Sequence, residues 1–140
     1  MGMYTEILFR AEISQNWAED PEVKLAIETL SRDEYPYLED DQRSLLPDHP
    51  FFDCHRWQLL SRCDSYYFPF GNHNNWVHDH QGGYYWSFRA NLKNYDDEIA
   101  QFFDWIDPYL REPEGEFLGY SLYEEDNSPS LYFKGGQSDG

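Results

Sequence analysis

The nine residues Tyr84 to Leu92 place Tyr84, Trp86, Phe88, Ala90 and Leu92 on one side of an extended chain, and Ser87, Arg89 and Asn91 on the other. A period of two with this much aromatic bulk on one side is the pattern of a strand with one buried face. Residues Tyr4 to Ile13 repeat it, with Ile7, Phe9, Ala11 and Ile13 on one side and Glu6, Arg10 and Glu12 mainly on the other. Two such strands need a sheet whose apolar side is covered, and the chain supplies two helical patterns to cover it.

The first follows Asp20-Pro21, a capping residue before a proline at the first helical position, and carries Val23, Ala26, Ile27 and Leu30 at helical spacing. It predicts a helix over Pro21 to Ser31. The second is capped by Asn94, carries Asp96, Asp97 and Glu98 in its first turn against the positive end of the helix dipole, and buries Ile99, Phe102, Phe103 and Ile106 before Pro108 ends it.

Between these elements, Arg32 to Pro50 holds three prolines and many acids without periodicity and predicts a long surface loop. Phe51 to Leu60 and Ser65 to Phe70 read as two aromatic strands of a hairpin joined by Ser61 to Asp64, and Gly71 to Gly83 as a second loop. Phe117 to Tyr123 and Ser130 to Phe133 read as closing strands around a turn at Glu124 to Pro129. The expected fold is therefore α+β: an antiparallel sheet with two α-helices packed on one face, in the order βαβββαββ. One domain spans residues 3–134, with Met3 as the natural start behind Met1-Gly2 and a frayed tail over 135–140.

Aromatic residues make up 19% of the 140, enough apolar area for a core despite a mean hydropathy of -0.85. The balance of 27 acidic to 10 basic residues gives a net charge of -17. Such a field repels nucleic acid and anionic membrane and attracts cationic proteins, including those that ordinarily hold DNA or RNA. No apolar run reaches the roughly 18 residues of a membrane span, and no export signal opens the chain, so a cytoplasmic protein with reduced Cys54 and Cys63 is expected.

Met3-Tyr4-Thr5-Glu6, Phe51-Phe52-x-Cys54-x-Arg56-Trp57, and Lys93-Asn94-Tyr95-Asp96-x-Glu98-Ile99-x-x-Phe102-x-Asp104-Trp105-Ile106-x-Pro108-Tyr109 together resemble small proteins of bacteriophages and prophages. The resemblance spans most of the chain. It implies expression in the cytoplasm of a bacterial host and a role such as anti-CRISPR or other anti-defence inhibition. It brings no catalytic residues with it.

Acids cluster at Glu19/Asp20/Glu22, Asp33/Glu34, Glu39/Asp40/Asp41, Asp96/Asp97/Glu98, Glu112/Glu114/Glu116 and Glu124/Glu125/Asp126. They are open to two readings: a nucleic-acid mimic that occupies a basic site, or scattered solubilising and capping charges. The expected contact residues for a basic host protein are Glu34, Tyr35, Tyr37, Glu39, Asp40, Asp41 and Trp76, because tyrosine and tryptophan concentrate in interface hot spots. Direct nucleic-acid or membrane contact is not expected. An edge strand leaves homodimerisation open.

His78-Asp79-His80 in an extended segment puts two imidazoles on one side, the start of a zinc site, so a metal- or small-molecule-binding domain using His73 to His80 is the alternative. A virion assembly component is another. Cys54-His55 invites a nucleophile-and-base reading, but neighbours on a strand face opposite ways, and a buried Cys54 beside Phe52 fits better. No other catalytic motif is recognisable, and neither an enzyme nor a cofactor is expected.

Overall fold

The computed structural model describes residues 4–31, 40–63 and 68–137. Its strands are β1 (Thr5–Ile13), β2 (His73–His78), β3 (Tyr84–Leu92), β4 (Phe117–Tyr123), β5 (Ser130–Phe133) and a two-residue β6 (Gly136–Gln137); its α-helices are α1 (Pro21–Ser31), α2 (Asp40–Arg43) and α3 (Glu98–Ile106). The strands form one sheet in the order β2-β3-β1-β4-β5-β6, and every neighbouring pair is antiparallel. The protein is thus α+β, but the element order differs from βαβββαββ.

The expected aromatic hairpin does not form. Phe51 to Leu60 makes two 3-10 turns instead of a strand, Pro50–Asp53 and Trp57–Leu59. Pro50 opens the first, and the His49 ring accepts a hydrogen bond from the Phe51 amide at 3.0 Å. A turn brings Phe51, Phe52 and Trp57 together, with the two phenylalanines on α3: Phe51 lies 5.6 Å from Phe102, and Phe52 lies 4.9 Å from Trp105 and 5.0 Å from Trp57. A flat strand would have sent neighbouring rings to opposite faces. The other expected strand, Ser65 to Phe70, lies partly outside the described residues, and Phe68 to Phe70 are not in a strand.

A strand comes instead from the segment expected to be a loop. His73–His78 pairs along β3 from His73 opposite Arg89 to His78 opposite Tyr84. Its sequence is polar because it is an edge strand, with Asn75, Val77 and His78 exposed. At the far edge Gly136–Gln137 pairs with Phe133 and Tyr132, so the tail expected to fray from Gly135 carries a last short strand.

The core faces are those expected. Phe9 meets Phe102 of α3 at 5.1 Å and Trp86 at 5.5 Å, and Phe88 meets Phe102 at 5.6 Å. Val23, Ala26, Ile27 and Leu30 of α1 belong to the same buried cluster. Asp20 caps α1 through the Glu22 amide at 3.0 Å. At the helix end the Leu30 carbonyl accepts from Ser61 Oγ at 2.5 Å and Asn74 Nδ2 at 2.8 Å, so the last turn is tied to β2.

At the start of α3 the expected Asn94 bond is made, but of the three acids only Glu98 lies in the first turn, since the helix begins there and Asp96 and Asp97 precede it. Asn94 Oδ1 accepts from the Ile99 amide, and the buried Glu98 carboxylate accepts from the Asp96 and Arg56 amides. Asp97, the cap by position, stands at φ 63 with no capping bond from its side chain.

Candidate functional site: a groove on the open face of the sheet

The face away from the core is set by the registers of β1 and β3, which place Glu6 opposite Asn91, Leu8 opposite Arg89, Arg10 opposite Ser87 and Glu12 opposite Tyr85. Opposed residues of an antiparallel pair share a face. On this one Arg10 and Tyr85 are exposed, whereas Arg89 and Asn91 are buried.

Part of the face is concave. A groove of about 450 Å³ is walled by Arg10 and Glu12 of β1, Asn75 and Val77 of β2, Tyr85 and Ser87 of β3, and Glu112, Glu116 and Phe117. The start of the loop that closes it is held to β1: the Arg111 amide donates to the Glu12 carbonyl at 2.9 Å, and the Glu12 amide donates to Glu112 Oε1 at 2.8 Å. Gly115 turns the loop at φ +87, and its amide donates to the Lys134 carbonyl at 2.9 Å.

Three carboxylates, Glu12, Glu112 and Glu116, thus converge on a groove whose wall includes Arg10, 5.8 Å over the Phe117 ring, while the Arg111 guanidinium pairs with Glu12 Oε2 at 3.6 Å. The field is felt by Tyr85: Glu12, then Asp79, push its phenol above the usual tyrosine range. Asp79 is itself held below the usual carboxylate range, chiefly by the Gly83 amide that donates to it at 2.8 Å. The groove is the size of a ligand site and favours a cation that carries apolar surface.

The expected contact residues fall elsewhere. Glu34, Tyr35, Tyr37 and Glu39 lie outside the described residues, and Asp40 begins α2 with Asp41 exposed beside it. Trp76 is half-buried at the core edge, 5.1 Å from Trp17 and 6.1 Å from Trp86. Many acids act as caps and clips. Glu124 accepts from the Tyr4 amide at 2.7 Å, and Asp107 accepts from Gly135 N at 2.9 Å and Lys134 Nζ at 3.2 Å. Asp96 accepts from the His55 amide at 3.0 Å, the first cause of its depressed pKa. The groove acids were visible as a cluster at 112–116, but their meeting with Glu12 depends on where the loop folds.

The histidines do not share one extended segment: His78 ends β2 and His80 lies in the turn that follows. His78 stacks on Tyr84 at 4.3 Å with the rings 8° apart. His73 bonds to Ser87 Oγ at 3.0 Å and to the Gly71 carbonyl at 3.1 Å. Among the described residues, no group of three or more His, Cys, Asp or Glu side chains is placed to hold a metal ion.

Cys54 is buried, on a turn rather than a strand, and its Sγ lies 3.5 Å from the Pro50 carbonyl. Burial first, then Glu98 and Asp96, push its thiol up to about 11. Its thiolate is scarce at neutral pH. In the native protein at pH 8, iodoacetamide should therefore modify Cys54 far more slowly than after denaturation, as read by intact mass and peptide mapping. Equal rates would mean an open, activated thiol.

Among the described residues, no helix is long and apolar enough to cross a membrane. The chain matches no family model, no curated protein and no solved structure.

Proposed function

We propose that this is a non-enzymatic binding protein that receives a basic segment of another protein in the open-face groove. The observation that carries the reading is the convergence of Glu12, Glu112 and Glu116 with the Tyr85 and Phe117 rings in one groove of about 450 Å³. A lysine or arginine there exchanges water for carboxylates and aromatic faces, and a net charge of -17 steers cationic partners toward the protein. The resemblance to bacteriophage proteins adds a setting: an accessory protein in the bacterial cytoplasm that occludes the basic site of a nucleic-acid-handling or defence complex.

The test is capture from bacterial lysate on the immobilised protein and on a Glu12→Lys/Glu116→Lys variant. Washes run from about 0.1 M to about 1 M salt, over which the screening length falls from roughly 10 to 3 Å. A stoichiometric basic partner should stay on the unaltered protein at low salt and be lost at high salt. Charge reversal should weaken it about 100-fold, since like charges placed together oppose binding strongly. A partner held equally by both proteins removes the groove from the interface, and co-purification with virions alone would favour an assembly role.

A further inference from the structure

We propose that Phe68 and Phe70 form a second contact point for the same partner, an apolar anchor beside the acidic groove. The inference rests on the reading of the groove as the seat of a basic protein segment. Both rings are exposed, Phe68 by 57% and Phe70 by 79%, and they stand edge to face at 6.5 Å. Neighbouring large apolar side chains left in water are the pattern of an interaction site.

Their exposure is built rather than incidental. Phe68 holds φ at 62, a backbone that bulky residues rarely adopt. Two side chains buried on the open face grip this segment by its carbonyls. Asn91 Nδ2 donates to the Phe68 carbonyl at 3.1 Å, and Arg89 Nη1 donates to the Phe70 carbonyl at 2.8 Å. Arg89 also lies 5.3 Å over the Phe68 ring. With the carbonyls turned inward to these donors, the Phe70 ring is left in solvent.

The anchor and the groove are continuous. Arg89 is the next residue on this face after Ser87, which lines the groove, a step of about 7 Å along the strand. His73 bridges them, bonded to Ser87 on one side and Gly71 on the other. Charge selects the occupant. The net charge of -17 opposes a second copy of the chain, an anionic bilayer or a nucleic acid, and draws a cationic protein. The partner therefore presents an apolar side chain next to its basic segment.

Two synthetic peptides test this by calorimetric titration: hexa-arginine, and hexa-arginine extended at either end by Leu-Leu-Trp-Leu. The extended peptide should bind about ten-fold more tightly or better. Phe68→Asn/Phe70→Ser should erase that gain and leave hexa-arginine binding unchanged; asparagine tolerates the left-handed backbone. Glu12→Lys/Glu116→Lys should weaken both peptides. If hexa-arginine fails to bind the unaltered protein, the groove reading falls and this one with it. If hexa-arginine binds but the extension adds nothing, or its gain survives in the phenylalanine variant, only the anchor falls. Sedimentation should show a monomer, and vesicles of phosphatidylcholine and phosphatidylglycerol should not bind. Self-association or vesicle binding lost in Phe70→Ser would overturn the proposal by giving the rings another occupant.

Discussion

Replacing Gly119 with alanine is expected to destabilise the protein by about 3 kcal/mol or more, a large share of the roughly 5 to 15 kcal/mol that holds a domain of this size. A Cβ at Gly119 would stand 1.8 Å from the Leu8 carbonyl oxygen and 2.8 Å from its carbon. These are backbone atoms of β1, the central strand, so no rotamer change relieves the overlap. Gly119 also sits at an irregularity in β4, where the pairing with β5 shifts between Phe117 and Gly119. The shift lets Phe117 line the open-face groove while the adjoining Leu118 is buried against the helix side. Urea unfolding gives the measurement. Gly136→Ala is the control, because its added Cβ meets nothing within 4 Å. An unaltered midpoint for Gly119→Ala would mean that β4 does not pass so close to β1.

Glu6→Ala is expected to cost about 3 kcal/mol, far more than an ordinary surface change. Glu6 Oε1 accepts from Arg89 Nη2 at 2.5 Å, and the Tyr120 hydroxyl donates to Glu6 Oε2. The ion pair is largely shielded from solvent, with the Glu6 and Arg89 side chains 17% and 11% exposed. Removing the carboxylate strands the guanidinium, whereas removing both partners does not, so Glu6→Leu with Arg89→Met should cost less than the sum of the single changes. Arg89 also holds the Phe70 carbonyl and Asn72 Oδ1, the latter at 2.6 Å. Arg89→Met therefore also removes a bond that holds the Phe68 to Phe70 segment. Burial first, then Glu6, raises the Tyr120 phenol, so Glu6→Ala should also lower the pH at which Tyr120 ionises in ultraviolet titration. A Glu6→Ala loss near 0.5 kcal/mol or less, typical of exposed sites, would show that the pair is well solvated.

The alternation in Tyr84 to Leu92, the stripe through Ile99, Phe102, Phe103 and Ile106, and the Asp20-Pro21 start each specify a local structure through their own side chains. Those elements could be read in advance, because burial of one face acts residue by residue at the period of the element. The aromatic run from Phe51 to Leu60 could not. The same residues satisfy a strand or a turn, and the choice falls to the turn because α3 offers Phe102 and Trp105 for its rings to pack on. The polar segment His73–His78 becomes a strand because β3 has a free edge with hydrogen bonds to give it, a fact invisible in its composition. The candidate site divides in the same way. The charge excess and its acidic clusters belong to the sequence by itself and set the sign of the field around the protein. The meeting of Glu12 with Glu112 and Glu116 was decided only by tertiary structure, because the bonds that fold the 111–116 loop against β1 join groups about a hundred residues apart in the chain.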